Sequence, residues 1–314
     1  MSSSSTVVRR PVVSGAAPRR PRLQLGRMAT PYMLLLPAAF MYAVFIVYPN
    51  YRQFDISFYD WHIFPGSHNP GVGFANFVAM FKDPAVHTAA LNTLLFVVIT
   101  VPLQMALGLA AAAILIDRLP GRGLFRGLIF IPVVTSWVVV SYIFAYIFAD
   151  QGGLANAVLA IFAGHAVHID WLAQRWTGDA VIWLVSIWKG VGWSFIMFLA
   201  ALDGVPRILL EAARVDGAHE PRVWRHVVVP SIRPTVAFVL VLLLIGASQV
   251  WIQVFLLTQG GPYGSTQVLL GVAYQQAFTF FQFSYAAAIA SMMAVVVLVF
   301  SIFNIRLIRG GAAR

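Results

Sequence analysis

EAARVDGAHEPRVWRHVVVPSIRP, residues 211–234, is the longest polar segment between two strongly apolar runs of the chain. Residues 207–215 are mostly good helix formers, so they predict a first short helix. Asp216 and Gly217 predict a turn after it, because glycine adopts left-handed backbone angles at little cost. The segment is therefore expected to form two short helices around a turn.

The second half of this segment predicts the second helix. Pro221 suits its first turn, where a missing backbone donor leaves nothing unpaired. The apolar residues fall on one helix face, at i, i+3 and i+4: Trp224, Val227 and Val228. We expect Pro230 and Pro234 to end this helix before the next apolar run, because a helix interior needs the donor that proline lacks.

The composition of the chain places it in a membrane. Of its 314 residues, 60% are hydrophobic and only 10% are charged, and the mean hydropathy is +0.81. A soluble domain has about 25% charged residues and could not hide this much apolar surface. The chain has no cysteine, which excludes disulfides and thiolate metal sites.

Six apolar runs predict an all-α, polytopic membrane protein with six transmembrane helices. Each run is about as long as the roughly 20 residues that a helix needs to cross a bilayer. They lie near residues 31–49, 91–116, 124–148, 180–202, 235–257 and 284–305. Pro102 and Pro132 lie inside the second and third runs, where proline can bend a helix.

The basic residues predict the orientation of these spans. With the N-terminus inside, most of the 21 lysines and arginines fall on inside segments. Because basic residues concentrate in cytoplasmic loops, we place both termini and the 203–233 loop in the cytoplasm. Residues 1–27 are rich in serine, proline and arginine, and they predict a disordered cytoplasmic tail that could also touch anionic lipid.

The polar loop carries a pattern that is similar to a known family signature. E-A-A-x-x-D-G-A, an aromatic residue six positions later and P-x-x-x-P resemble the cytoplasmic loop of binding-protein-dependent ABC importer permeases. The first part of the pattern comprises Glu211, Ala212, Ala213, Asp216, Gly217 and Ala218. The rest comprises Trp224, Pro230 and Pro234, with Trp224 where the family more often has Phe.

The outer segments resemble the carbohydrate-uptake branch of the same family. YPNYRQFDISFYDW at residues 48–61, GVGFANFVAMFKDP at 71–84 and the Asn92-Thr93 pair are similar to its opening. LTQGGPYGSTQVL at residues 257–269 is similar to its G-G-P…T signature. The aromatic residues of 50–90 are also typical of a membrane interface, so a collar at the interface and a docking surface for an external partner both remain open.

The resemblance implies a type I ABC importer transmembrane domain in a bacterial or archaeal cell membrane. It implies a first transmembrane helix with an aromatic external segment (28–90) and a core permease domain (91–309) with a cytoplasmic coupling loop at 203–233. The expected partners are a homologous second permease subunit, two ATP-binding subunits and an external solute-binding protein, but no nucleic acid. Glu211 would anchor the loop by a charged contact, Gly217 would permit its turn, and Ala212, Ala213 and Ala218 would allow close approach.

The chain itself has no recognisable motif for catalysis. A phosphate loop needs a Gly-Lys pair, and neither of the two lysines follows a glycine. We therefore expect no enzyme activity and no cofactor in this chain, with ATP and magnesium held by the ATP-binding subunits. His165 and His168 could meet on a helix face as metal ligands, but no further ligands accompany them, so we predict no metal site.

Polar residues inside the apolar runs are the candidates for a substrate pathway. Lys189 lies deep in the fourth run, where a charge costs about 2.5–3.5 kcal/mol and should face protein or a wet cavity. Gln249 and Gln253 are four residues apart, which predicts one helix face, with Trp251 nearby. Amides and an indole face suit a polyol ligand, although such residues also form hydrogen bonds between helices.

The predicted function is an ATP-driven importer for a sugar or related polyol that works by alternating access. One alternative is a permease for glycerol-3-phosphate or glycerophosphodiesters, in which Lys189 would pair with a phosphate. The other is a membrane scaffold that transports nothing, which would explain the spans but not the loop pattern.

Overall fold

The computed structural model describes residues 25–63, 68–116 and 120–312, and these residues are mostly helical. Their contacts separate into two units, with the boundary after Tyr51. Residues 1–24 of the predicted tail lie outside the described residues. The first unit contains α1 (Leu25–Tyr42), a π-helical turn (Ala43–Val47) and the start of α2 (Tyr48–Ile56).

The second unit contains the remaining helices. Those before the polar loop are α3 (Ala75–Lys82), α4 (Pro84–Leu115), α5 (Arg122–Val134), α6 (Trp137–Ile147), α7 (Leu154–Ala163) and α8 (Arg175–Asp203). Those from the polar loop onward are α9 (Arg207–Val215), α10 (Glu220–Val223), α11 (Val229–Ser248), α12 (Ile252–Leu257), α13 (Leu269–Phe278) and α14 (Phe283–Ala312).

The predicted spans are present in the part of the chain that the structure describes. The helices long and apolar enough to cross a membrane are Tyr32–Ile56, Pro84–Leu115, Arg175–Asp203, Glu220–Ser248 and Phe283–Asn304. The pair α5 and α6 adds a sixth span if it counts as one. The all-α fold is thus confirmed, and the third span differs from a simple helix.

The third span bends by 99° between α5 and α6. Pro132 lies in the last turn of α5, and the chain leaves the helix at Thr135 and Ser136, which both have extended backbone angles. Pro132 was one of the expected bend points, and the bend follows it closely. Pro102, the other candidate, lies inside the single long helix α4.

The fifth apolar run is also interrupted, which corrects one prediction. The amides of Gln249 and Val250 bond to carbonyls only three residues back, at 3.2 Å each, so the end of α11 tightens. Trp251 then has an extended φ of −159° before α12 begins. The prediction that Gln249 and Gln253 share one face of a continuous helix is therefore wrong, because the helix ends between them.

Helices α4 and α8 form the centre of the second unit, and glycines let them approach closely. A Cβ placed on Gly108 of α4 would lie 2.6 Å from the Cβ of Ser194 and 2.9 Å from the backbone nitrogen of Phe195. Such contacts between backbones are typical of small residues at membrane helix interfaces. Phe195 and Phe198 are completely or almost completely buried beside this contact.

The aromatic segment after the first span packs largely on itself and on the start of α14. The ring of Phe58 lies 5.2–5.4 Å from those of Phe54, Phe74 and Phe77. The amide of Trp61 donates to Ser284 Oγ at 2.6 Å. Tyr285 Oη, one residue further on, donates to Asp83 at 2.8 Å, which fastens this segment to the last span.

Candidate functional site

The 203–233 loop begins with α9 and a left-handed turn. Gly217 has a φ of +76°, a conformation that side chains with a Cβ rarely adopt. Around it, the amide of Gly217 bonds to Arg214 O and that of Ala218 to Ala213 O, both at 3.0 Å. These bonds satisfy carbonyls at the end of α9 in the manner of a Schellman cap. The predicted helix and turn are thus both present.

The second half of the loop differs from the prediction. The short helix α10 continues through a π-helical segment (Trp224–Val228) into α11 without a break. Pro230 lies at the start of α11 and Pro234 inside it, so neither ends the helix. The hydroxyl of Ser231, next to Pro230, donates to the carbonyl of Val227 at 2.6 Å and so gives this carbonyl a partner. The loop therefore joins the following span through continuous helical backbone.

One side of the loop is anchored to the ends of the spans. Val223 and Val228 are buried in a cluster with Leu202 and Val205. The partly buried residues that pack on this cluster include Ala213, Ala218, Trp224 and Val227. Of the predicted coupling residues, Ala213 and Ala218 thus face inward and hold the loop together.

The other side of the loop is exposed and partly apolar. Ile208 is 72% exposed and Val215 is 87% exposed. The remaining predicted coupling residues are exposed as well: Glu211, Ala212, Asp216 and Gly217. Exposed apolar side chains rimmed by polar ones are typical of a protein–protein contact, although single exposed apolar residues are common.

Charged residues line a cavity of about 490 Å³ between the loop and the ends of α4 and α8. The charged members of its wall are Asp203, Arg207, Glu211, Arg214 and Glu220. Arg214 Nε donates to the Glu220 carboxylate at 2.9 Å. Among the described residues Glu211 has no ion pair within 4.0 Å, so its carboxylate has no charged partner within this chain's described part.

The candidate pathway residues of the fifth run lie in different settings. Gln253 is 6% exposed, and its amide nitrogen lies 3.5 Å from Ser186 Oγ of α8. Trp251 is half-buried, whereas Gln249 is exposed at the end of α11. The three residues therefore lie in three different environments.

Trp251 belongs to an aromatic row that sequence reasoning missed. Its ring centroid lies 4.4 Å from that of Tyr274, which lies 4.8 Å from that of Phe278. The rings are inclined by 32° and 37°, so their faces are partly parallel. Tyr274 and Phe278 are four residues apart on α13, a spacing that could have indicated one helix face.

Lys189 faces protein, which is one of the two environments that its depth in the span predicts. Its side chain is buried, and its Nζ lies 2.7 Å from the carbonyl oxygens of both Pro132 and Thr135. A third carbonyl, that of Val133, lies at 3.2 Å. All three N–H groups of the ammonium thus have backbone partners at the bend of the third span.

The two histidines considered as metal ligands lie at the surface between α7 and α8. His165 and His168 are both exposed. In the described ranges, no group of three or more histidine, aspartate and glutamate side chains is placed to hold a metal ion.

Two of the outer sequence signatures meet in the structure. The side-chain amide of Asn92 donates to the carbonyls of Ser265 and Gln267, at 2.7 and 2.9 Å. The hydroxyl of Thr93 accepts from the amide of Leu269 at 3.1 Å. The Asn-Thr pair in the N-terminal part of α4 therefore holds the G-G-P…T loop in place.

These features define an α-helical membrane protein with the architecture of an ABC importer transmembrane domain. The solved structure of a bacterial ABC transporter involved in the import of alginate contains a chain of the same fold, with a TM-score of 0.79. The two chains are 24% identical, and the match covers 91% of this chain and 96% of that one.

The sequence comparisons give the family. The model for binding-protein-dependent transport system inner membrane components matches residues 104–310, and the chain belongs to this family. Similar relatives include the probable ABC transporter permease protein YurN of Bacillus subtilis, 31% identical over 90% of this chain and 96% of YurN. Another is AraP of the same organism, the arabinooligosaccharides transport system permease protein, 32% identical over 90% of this chain and 89% of AraP.

A third relative comes from another organism. The lactose transport system permease protein LacF of Rhizobium radiobacter is 32% identical over 86% of this chain and 91% of LacF. The chain is thus a transporter permease subunit and a multi-pass membrane protein. Permease subunits of this family are not themselves catalytic.

Proposed function

We propose that this chain is a permease subunit of an ATP-driven importer that moves a sugar or related polyol inward. The observation that carries the proposal is the 203–233 loop, which is anchored on one side and exposed on the other. Its exposed side offers Ile208 and Val215 as apolar contacts and Glu211 as a carboxylate without an ion pair in the described chain. A loop that is anchored on one side and exposed on the other is suited to docking on an ATP-binding subunit.

We assign ATP hydrolysis and solute delivery to other subunits of the complex. ATP and magnesium would be held by two ATP-binding subunits, since no lysine here follows a glycine as a phosphate loop requires. A homologous second permease would complete the pathway, and an external solute-binding protein would deliver the solute. With both termini and the 203–233 loop in the cytoplasm, the loop would reach the ATP-binding subunits. A scaffold that transports nothing would have no need for such a loop.

The proposed mechanism is alternating access driven through the loop. Closure of the ATP-binding subunits would move α9 and α10 together, because Ala213 and Ala218 hold them and Gly217 turns between them. The motion would pass backward into α8 and forward into α11, which joins α10 through helical backbone. The spans would then reorient, so that the solute site opens outward and afterwards inward.

The sugar class is supported by relatives and by the chain's own side chains. Two relatives are named for arabinooligosaccharides and lactose. Trp251 and Tyr274 offer ring faces that suit the apolar face of a sugar, and Gln253 and Gln249 offer amides that both donate and accept. The phosphate alternative relied on Lys189, whose three donors already bind backbone carbonyls. We therefore favour a sugar and give Lys189 no direct contact with the solute.

The decisive experiment is transport by the reconstituted complex. The chain would be purified with its second permease and ATP-binding subunits, placed in proteoliposomes and supplied with the solute-binding protein. The solute would be chosen by thermal shift of that binding protein against panels of oligosaccharides, polyols and glycerol phosphodiesters. We expect ATP-dependent uptake of an oligosaccharide or polyol. Uptake of a phosphodiester would favour the alternative, and a complex with ATPase activity but no uptake of any binding-protein ligand would contradict the proposal.

A further inference from the structure

The bend in the third span releases backbone groups that must find partners. Helix α5 ends at Val134 and α6 begins at Trp137, with a 99° change in direction. The last carbonyls of one helix and the first amides of the next lack intrahelical partners. Inside a membrane each unpaired group costs several kcal/mol, so irregular backbone is tolerated only where protein or water satisfies it.

Residues of the bend itself satisfy part of this need. Ser136 has an extended backbone before α6, and its hydroxyl accepts from the amide of Val138 at 3.3 Å. This is an N-cap of the usual type. On the other side, Thr135 Oγ1 donates to the carbonyl of Pro132 at 2.6 Å. The carbonyls of Val133 and Thr135 still need a donor from elsewhere in the chain.

Lys189 of α8 supplies that donor. Its ammonium reaches the carbonyls of Pro132, Val133 and Thr135 at 2.7, 3.2 and 2.7 Å. The C-terminal end of a helix carries a partial negative charge, which favours a cation there. Nζ also lies 5.1 Å from the centroid of the Trp137 ring, a cation–π arrangement at the first residue of α6.

The position of the ammonium is fixed by its surroundings. Lys189 is 6% exposed, and no carboxylate of the described residues lies within 4.0 Å of its Nζ. Three residues later, a Cβ on Gly192 would meet the carbonyl oxygen of Ile129 and lie 2.8 Å from Val133 Cγ2. The backbones of α5 and α8 are therefore in close contact beside the ammonium.

We propose that Lys189 is a positioning residue that ties α8 to the bend and so couples the loop to the pathway. Helix α8 runs without interruption from Arg175 to Asp203, just before α9, and Lys189 lies about 21 Å along it from Asp203 at 1.5 Å per residue. On the other side of the bend, α6 packs against α12, which carries Gln253. A shift of α8 therefore moves the bend, and the bend moves the helix that borders the pathway. The coupling role rests on the proposed function, whereas the tie itself does not.

The test separates the tie from a solute contact. Because the chain has no cysteine, Leu128→Cys on α5 and Ile143→Cys on α6 accept spin labels at these two positions alone. Pulsed electron paramagnetic resonance would measure the distance between them in the detergent-solubilised full chain. Lys189→Met keeps the length of the side chain and removes its donors, whereas Lys189→Arg keeps the charge. The matched control is Lys82→Met, the same change at the exposed end of α3.

We expect Lys189→Met to shift or broaden the distance distribution, and Lys189→Arg and Lys82→Met to keep it narrow. In the reconstituted complex, Lys189→Met would lower the transport turnover at least about tenfold with a nearly unchanged KM, since a hydrogen bond to a charged group contributes that much. An unchanged distance distribution would overturn the tie, and a raised KM beside an unchanged distribution would make Lys189 a solute ligand. If Lys189→Met does not accumulate in the membrane, Lys189→Gln replaces it, and a wild-type distribution in that variant overturns the tie.

The two proposals fail in distinguishable ways. The distance measurement needs neither the ATP-binding subunits nor the solute, so it can fail while ATP-driven uptake succeeds. Conversely, a complex without uptake would remove the coupling role and leave the distance result for the bend intact.

Discussion

Arg214 donates to the Glu220 carboxylate at 2.9 Å and joins the two short helices of the 203–233 loop across the turn at Gly217. Both side chains are more than half exposed, at 54% and 61%. Exposed ion pairs contribute little because water screens them. We therefore expect Glu220→Gln to lower the free energy of unfolding by less than about 1 kcal/mol, measured by thermal unfolding in detergent. A much larger loss would mean that the pair, and not the apolar cluster beneath it, anchors the loop.

Gly217→Asp tests the turn. A residue with a Cβ at a φ of +76° is strained by about 1–2 kcal/mol, which leaves the chain folded in the membrane. The strain shifts α9 against α10, so we expect the ATP-binding subunits to hydrolyse ATP without driving uptake. The assay is the ratio of solute imported to ATP hydrolysed in proteoliposomes.

Gly152→Asp is the matched control for this change. Gly152 also has a positive φ, +71°, and no atom lies within 4 Å of a Cβ built there, as at Gly217. It lies between α6 and α7, far along the chain from the loop, so we expect normal coupling. Full coupling in both variants would refute the assigned role of the turn.

Gly108→Ala tests the contact between α4 and α8. The added methyl would lie 2.6 Å from Ser194 Cβ and 2.9 Å from a backbone nitrogen, so the helices must separate. Such overpacking costs about 1–3 kcal/mol, which should lower the midpoint of thermal unfolding. Gly127→Ala on α5, where a Cβ would meet nothing within 4 Å, should leave that midpoint unchanged or raise it. Equal midpoints for Gly108→Ala and Gly127→Ala would contradict the close contact of α4 and α8 at Gly108.

Trp251→Ala and Tyr274→Ala test the aromatic row as a sugar contact. Aromatic contacts contribute about 0.5–1.5 kcal/mol, so each change should raise the KM for transport roughly 2–10-fold. Phe162→Ala is the control, because Phe162 is 85% exposed on α7 and outside this row. An unchanged KM in both row variants, with normal protein levels, would remove the row from the pathway.

Local signals in the sequence predict much of the fold and part of the site. The hydropathy of each run predicts a span, and the glycine after Asp216 predicts the left-handed turn. The break after Gln249 was missed because Trp251 packs on Tyr274, a residue more than twenty positions later that local patterns do not include. The sequence predicts that Pro230 ends the second loop helix, whereas a π-helical segment before it lets the helix continue.

The bend of the third span also depends on contacts that local sequence patterns do not include. Pro132 indicates that the helix can break, but the direction of the bend depends on partners from α8. Lys189 lies 57 residues along the chain from Pro132 and meets it only in the folded protein. Its depth in the span predicts that it faces protein or a wet cavity, whereas its partners could be identified only from the structure.

The central claim is that the loop at residues 203–233 docks on an ATP-binding subunit. The direct measurement is site-specific photo-crosslinking in the assembled complex, with the crosslinker at Val215 on the loop or at Tyr263 in the outer G-G-P…T loop. Both positions are strongly exposed, at 87% and 107%. We predict that Val215 crosslinks to a protein whose phosphate-loop sequence is identified by mass spectrometry, and that Tyr263 does not. A crosslink to that protein from Tyr263, or none from Val215 in a complex that hydrolyses ATP, would contradict the account.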